Sequence, residues 1–231
     1  MPSSRLVAVT VASTVLTLLA ACGSSSGSSS SSASSSSAPA QAQSVPAPAM
    51  PLTIAPTTLA TTLNGNTVTL QLSATANTGT ATFNGQVAET GNLSLTVLEN
   101  GSPLVTEIAT AYYLTNPYSP LGLGITVNGV SEVVTYPSTT PLPANLTVGS
   151  SGPLTTGTYY AANGTTVIGS LTETYSVTAN NATSVKYTVY GTGTVNGSPV
   201  SETDIYTVST SGTIALVEVD LLVNGQTLKF T

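Results

Sequence analysis

The 231-residue chain has no histidine and no tryptophan, a single cysteine, and only three basic against nine acidic residues. Without His, the commonest general base, metal ligand and triad partner is missing. One cysteine, Cys22, excludes an intrachain disulfide. With Arg5, Lys186 and Lys229 as the sole cations and a formal net charge of −6, the chain has no basic footprint for a phosphate backbone. Nucleic acid is therefore excluded as a partner, and attraction to an anionic membrane surface is weak. A Ser–Lys dyad would need Lys186 or Lys229 buried, and both fall in strand patterns where an exposed Lys is the ordinary outcome. Paired carboxylates could serve a glycosidase, but such sites generally need a sugar-stacking surface and there is no Trp. Gly122-Leu123-Gly124 lacks the strand–loop–helix context of a phosphate loop. The inventory argues against an enzyme, and no cofactor is expected.

What is present begins with an export signal. Arg5 supplies a positive n-region, and Leu6 to Leu19 form a mostly apolar stretch. At about 14 residues it falls short of the roughly 20 that span a bilayer as a helix. The stretch closes on Leu19-Ala20-Ala21-Cys22-Gly23, which resembles the lipobox of bacterial lipoproteins. The resemblance covers the signal segment alone. It implies a lipid thioether on Cys22, cleavage after Ala21 and acylation of the new amino group, with the membrane as partner through covalent lipid. Several acyl chains, at about 0.8 kcal/mol per buried CH₂, anchor durably where one is marginal. Gly23 rather than Asp after the cysteine implies, by resemblance to the Gram-negative sorting rule, the outer membrane.

A tether is expected over residues 22–51. Residues 24–37 hold 12 Ser, broken only by Gly27 and Ala33, and cannot repay the entropy of ordering. Pro39, Pro46, Pro48 and Pro51 then favour extended chain. The linker should span roughly 30 Å on average, with an extended limit on the order of 100 Å.

The remaining residues, 52–231, read as one all-β domain, an antiparallel, hairpin-rich sandwich or partly closed barrel of about 10–13 strands. Asn-Gly occurs seven times, at Asn64, Asn84, Asn100, Asn128, Asn163, Asn196 and Asn224, and tight hairpins need two adjacent residues tolerant of positive φ. Between the turns, runs such as Thr67-Val68-Thr69-Leu70-Gln71-Leu72 and Asn92-Leu93-Ser94-Leu95-Thr96-Val97 alternate at period two. Two halves, about 60–136 and 156–231, look faintly alike. Asn100-Gly101-Ser102-Pro103 recurs 96 residues on as Asn196-Gly197-Ser198-Pro199, each followed by a Glu, Glu107 or Glu202. Ser73–Asn77 resembles Ser176–Asn180 at an offset of 103. The middle holds Pro117, Pro120, Pro137, Pro141, Pro143 and Pro153, and is expected to be loop or edge strand because Pro cannot donate to a central ladder.

Two segments carry candidate chemistry. Setting Tyr206 opposite Leu216 in a C-terminal hairpin gives Val217, Val219, Leu221 and Val223 one apolar face. It also places Glu202 opposite Asp220 and Asp204 opposite Glu218, four carboxylates that either bind a hard cation such as Ca²⁺ or form a solvated face. The segment from Tyr112 to Gly122 gathers Tyr112, Tyr113, Tyr118 and Leu121 beside two prolines. On a loop it would contact a ligand or partner, or plug the end of the core. The expected function is a lipid-anchored envelope lipoprotein whose non-enzymatic β-domain binds or adheres. Its partner, protein or small apolar ligand, is not readable from the sequence. A carrier with an apolar cavity and a carboxylate-based hydrolase are the alternatives. A membrane-spanning barrel is disfavoured by scarce aromatic girdles and too few charges for a polar lumen.

Overall fold

The computed structural model describes residues 42–48, 53–115, 118–223 and 226–231. Cys22, the signal segment and most of the tether lie outside them. The chain is all-β, with fourteen strands and no helix among the described residues. Twelve form one antiparallel sheet in the order β14-β13-β12-β11-β10-β9-β7-β6-β5-β4-β3-β2, nearly closed into a barrel. The first half comprises β2 (Ile54–Leu63), β3 (Asn66–Phe83), β4 (Gln86–Glu99), β5 (Ser102–Thr115), β6 (Tyr118–Val127) and β7 (Val130–Thr139). The second comprises β9 (Ser151–Ala161), β10 (Val167–Asn181), β11 (Ser184–Val195), β12 (Ser198–Ser209), β13 (Ile214–Val223) and β14 (Gln226–Phe230). The halves join where β7 pairs with β9. They meet again where Ala60 and Thr231 exchange N–H···O bonds of 3.1 Å in both directions, so that β14 is a short wedge between β13 and β2.

Alternation dictates the wall. Val68, Leu70 and Leu72 point inward and are buried, while Thr67, Thr69 and Gln71 face out. Leu93, Leu95 and Val97 repeat the pattern on β4. A membrane-spanning barrel needs the reverse, an apolar outer band around a polar lumen. The outer hydroxyls and amides here suit water.

The Asn-Gly turns set the connections. At Asn64, Asn84, Asn100, Asn128 and Asn196 both the Asn and its Gly adopt positive φ, near 50° and 80°, the two-residue turn that matches strand twist. Asn163 instead sits in a longer turn, where its Oδ1 accepts from the N–H groups of Thr165 and Thr166. Asn224 lies outside the described residues. Because the strands run up and down, every described turn among these except that at Asn84 lies at the same end of the barrel, the rim. Neighbouring hairpins are locked there. The Asn100 N–H donates to the Thr67 carbonyl, and the Thr67 N–H donates to Asn100 Oδ1. Asn128 makes the same pair of bonds with Thr106.

The opposite end, the base, is closed by a two-stranded piece. Strand β1 (Ser44–Pro46) pairs with β8 (Asn145–Thr147) from the β7–β9 connection. Val45 and Leu146 are fully buried there, and the Ala42 N–H donates to the Asn181 carbonyl. Three residues of the expected tether, Ser44–Pro46, are therefore strand, with Val45 buried between Ser44 and Pro46.

The prolines also depart from expectation. Pro120, Pro137 and Pro153 lie inside β6, β7 and β9, which are central strands. Each sits at a register shift, between Tyr112 and Tyr113, between Thr135 and Ser138, and between Glu173 and Thr174. The irregularity removes the ladder bond that Pro could not make. The similar motifs of the two halves fall at equivalent places. Ser73–Asn77 and Ser176–Asn180 lie on the second strand of each six-strand half, and the two Asn-Gly-Ser-Pro turns join the third to the fourth. Glu107 and Glu202 both point inward from those fourth strands.

Candidate functional site

The expected C-terminal register holds only as far as Tyr206. Tyr206 does face Leu216, but a bulge at the next step sets Ile205 opposite Glu218, leaving Val217 unpaired. Beyond it Glu202 faces Leu221 and Asp204 faces Val219. One extra residue returns each strand's acids to a different side of the wall. Glu202 and Asp204 point into the barrel. Glu218 and Asp220 lie outside it, where Lys229 forms an ion pair with Glu218 and stands opposite Asp220. The four-acid face does not exist, and no cluster suited to a metal occurs among the described residues. The apolar face is corrected likewise: Val219 and Leu221 are buried, whereas Val217 is exposed.

The interior is acidic and tyrosine-rich. One inward row runs Glu173–Gly191–Glu202–Leu221, and the next Tyr175–Val189–Asp204–Val219. Glu107, Glu173, Glu202 and Asp204 are at most 4% exposed. Burial, reinforced by Asp204, drives the Glu173 carboxyl well above its ordinary range. Burial and Glu132 do the same to Glu107. Burial lifts Asp204 to about 7, although hydrogen bonds with Glu202 and with Tyr206 (Oη to Oδ2, 3.4 Å) pull the other way. The oxygens of Glu107 and Glu173 have no hydrogen-bond partner among the described residues. Such groups survive burial by holding their protons. Glu107, Glu173 and Asp204 thus have raised pKa values and are buried in the wall's interior.

Glycines make room for the rings. A Cβ on Gly91 would meet Tyr113, one on Gly152 would meet Tyr175 at 3.2 Å, and one on Gly157 would meet Tyr136 at 3.3 Å.

The tyrosine segment expected as a loop is a hairpin, β5 and β6, whose strand alternation divides its members. Tyr113 points inward, 1% exposed, and its Oη donates to the Thr90 carbonyl at 2.9 Å. Tyr118 packs on it with ring centroids 5.5 Å apart. Those two serve the core. Tyr112 and Leu121 are half-buried and line hollows on the outer wall.

That wall carries a groove. Two adjacent outward rows cross it, Tyr112–Gly122–Thr135–Thr158 and Thr110–Gly124–Val133–Tyr160. The neighbouring glycines of β6 leave a depression between Tyr112 and Tyr160. The tip of the long β3–β4 hairpin folds over it. Phe83 stacks on Tyr112 with centroids 4.5 Å apart and lies against Gly122, where any Cβ would strike its ring. A hollow of about 360 Å³ on one side of Phe83 is lined by Thr82, Asn84, Tyr112, Val133, Thr135 and Tyr160. A second, of about 330 Å³, adds Gln86, Leu121, Tyr136 and Pro137. No charged side chain lines either. Sequence reasoning found Tyr112 and Leu121 but missed Phe83 and Tyr160. The available signal was the Gly-x-Gly of β6, which marks a bared patch of wall beside aromatic neighbours.

Compared with protein-family models, curated proteins and solved structures, the chain matches none.

Proposed function

We propose that the chain is a lipid-anchored lipoprotein of the bacterial envelope whose barrel is a non-enzymatic binding module, with the outer groove as its contact surface. The groove carries this reading. It sets half-buried aromatic side chains beside amides and hydroxyls on an otherwise hydroxyl-covered wall, the mixture that recognition surfaces favour. The position of Ala42 supports the tethered arrangement: the chain enters at the base, so lipid on Cys22 would leave both the rim and the outer wall free. The buried acids and the absence of His favour binding over turnover.

Two experiments test the reading. Cys22→Ser should move the protein from the membrane to the soluble fraction; retention in the membrane refutes the anchor. A photo-crosslinking side chain at Gln86 should yield an adduct in cells that the same group at Thr67, on the far outer wall, does not. Identical patterns at the two positions refute the groove as contact surface.

A further inference from the structure

We propose that the outer groove binds a neutral oligosaccharide, laid across the strands from Tyr112 to Tyr160. The inference rests on the groove being the contact surface and names what it takes.

The lining decides the class. Phosphorylated, sulfated and carboxylated ligands call for Arg or Lys, and the groove has neither. The only cations on the folded domain are Lys186, exposed on β11, and Lys229, paired with Glu218. An acyl chain would bury the amide of Asn84 and the hydroxyls of Thr82, Thr135 and Tyr160 without partners, which is costly. A neutral sugar presents both faces the groove requires. Its C–H surface lies on an aromatic ring, and its hydroxyls pair with amides and hydroxyls at the edges. Among the described residues the Tyr112 and Tyr160 hydroxyls make no hydrogen bond, nor do the side chains of Asn84, Gln86 and Thr135. Among those residues their donors and acceptors are available.

The geometry favours more than one ring. Tyr112 on β5 and Tyr160 on β9 are three strands apart, roughly 14 Å at about 4.8 Å per strand. Phe83 covers Gly122 and the Tyr112 ring lies over Gly124, so the open floor towards Tyr160 is Val133 and Thr135. The two hollows share Phe83, Asn84, Thr135 and Tyr160, so the hairpin tip divides one trough into adjoining subsites. Phe83 already covers one face of Tyr112, so the stacking face offered to a sugar is that of Tyr160.

The purified full chain should be applied to an array of neutral and charged oligosaccharides, and any neutral glycan retained should be titrated calorimetrically. The expected result is saturable binding of at least one neutral oligosaccharide, weakened roughly five- to tenfold by Tyr160→Ala and little changed by Tyr160→Phe. Thermal melting of both variants should match the parent, since Tyr160 is half-exposed. Failure to retain any neutral glycan overturns the proposal, as does binding indifferent to Tyr160→Ala. Retention of charged glycans alone overturns it too. The crosslink at Gln86 separates the two failures: an adduct there without glycan binding leaves the contact surface standing and removes the saccharide, whereas loss of both removes both.

Discussion

Raising the pH should loosen this barrel, and Asp204 sets a measurable part of the effect. Its carboxyl is 2% exposed, and burial carries its pKa from 3.8 to about 7 in the folded state. The folded value exceeds the unfolded one, so the native state holds a proton that the unfolded chain releases. The associated stability is fully present below about pH 4 and is lost as the pH climbs to about 7. A shift of about three units, at about 1.4 kcal/mol each, amounts to about 4 kcal/mol. With a urea dependence of about 2 kcal/mol per molar for a domain of this size, the midpoint should fall by about 2 M between pH 4 and pH 8. Glu107 and Glu173 are shifted in the same direction and add to the slope. Asp204→Asn isolates the one group, because the amide keeps the shape and cannot ionise. Urea unfolding of parent and variant, followed by circular dichroism across that range, gives the difference. Superimposable pH profiles, or a parent that grows more stable as pH rises, would refute the reasoning.

Gly122→Ala should cost about 1–3 kcal/mol by melting, because its Cβ would meet the Val134 carbonyl and the Phe83 ring, and overpacking has no cheap relief there. Chymotryptic cleavage at Phe83, in the β3–β4 tip, should rise in the same variant. Asn100→Ala should destabilise by about 1–2 kcal/mol, from the left-handed backbone at φ 49° and the lost bond to Thr67, whereas Asn100→Gly should recover the backbone part. Leu146→Ala, at a fully buried position in the base plug, should cost about 2–5 kcal/mol in urea unfolding. Amide exchange should be fastest along β14, where two backbone bonds complete the closure onto β2; uniform protection around the barrel would contradict that picture.

Much of the architecture was legible because local rules repeat. Asn-Gly between alternating runs gave the hairpins, and five of those turns have the expected backbone. What escaped the sequence was counting. A single unpaired residue, Val217, reverses which side of β13 faces the core, and nothing in Leu216-Val217-Glu218 announces it. Apolar alternation continues through the bulge, so the slipped register looked better than the true one. The same arithmetic hid the interior acids. Glu202 and Asp204 were expected on a cation-binding or solvated face and Glu173 drew no notice, but the strand parity fixed by Tyr175, Val200 and Tyr206 carries all three inward. The prolines of β6, β7 and β9 failed for the complementary reason: a bulge tolerates what a regular ladder does not. The groove needed tertiary information throughout, since Phe83, Tyr112 and Tyr160 come from strands that only the curl of the β3–β4 hairpin brings together.

The wall's shortage of cations bears on how the protein would be detected. Apart from Arg5, the chain offers trypsin only Lys186 and Lys229, and both lie within hydrogen-bonded strands. No turn at the rim, nor the connection at the base, contains a Lys or Arg. Trypsin shaving of intact cells would leave the barrel whole on either side of an outer membrane, and a negative result would carry no topological information. A protease that cleaves after alanine in the Ala- and Pro-rich leader to β1 would release the domain intact, and release from unbroken cells would then report which side it faces.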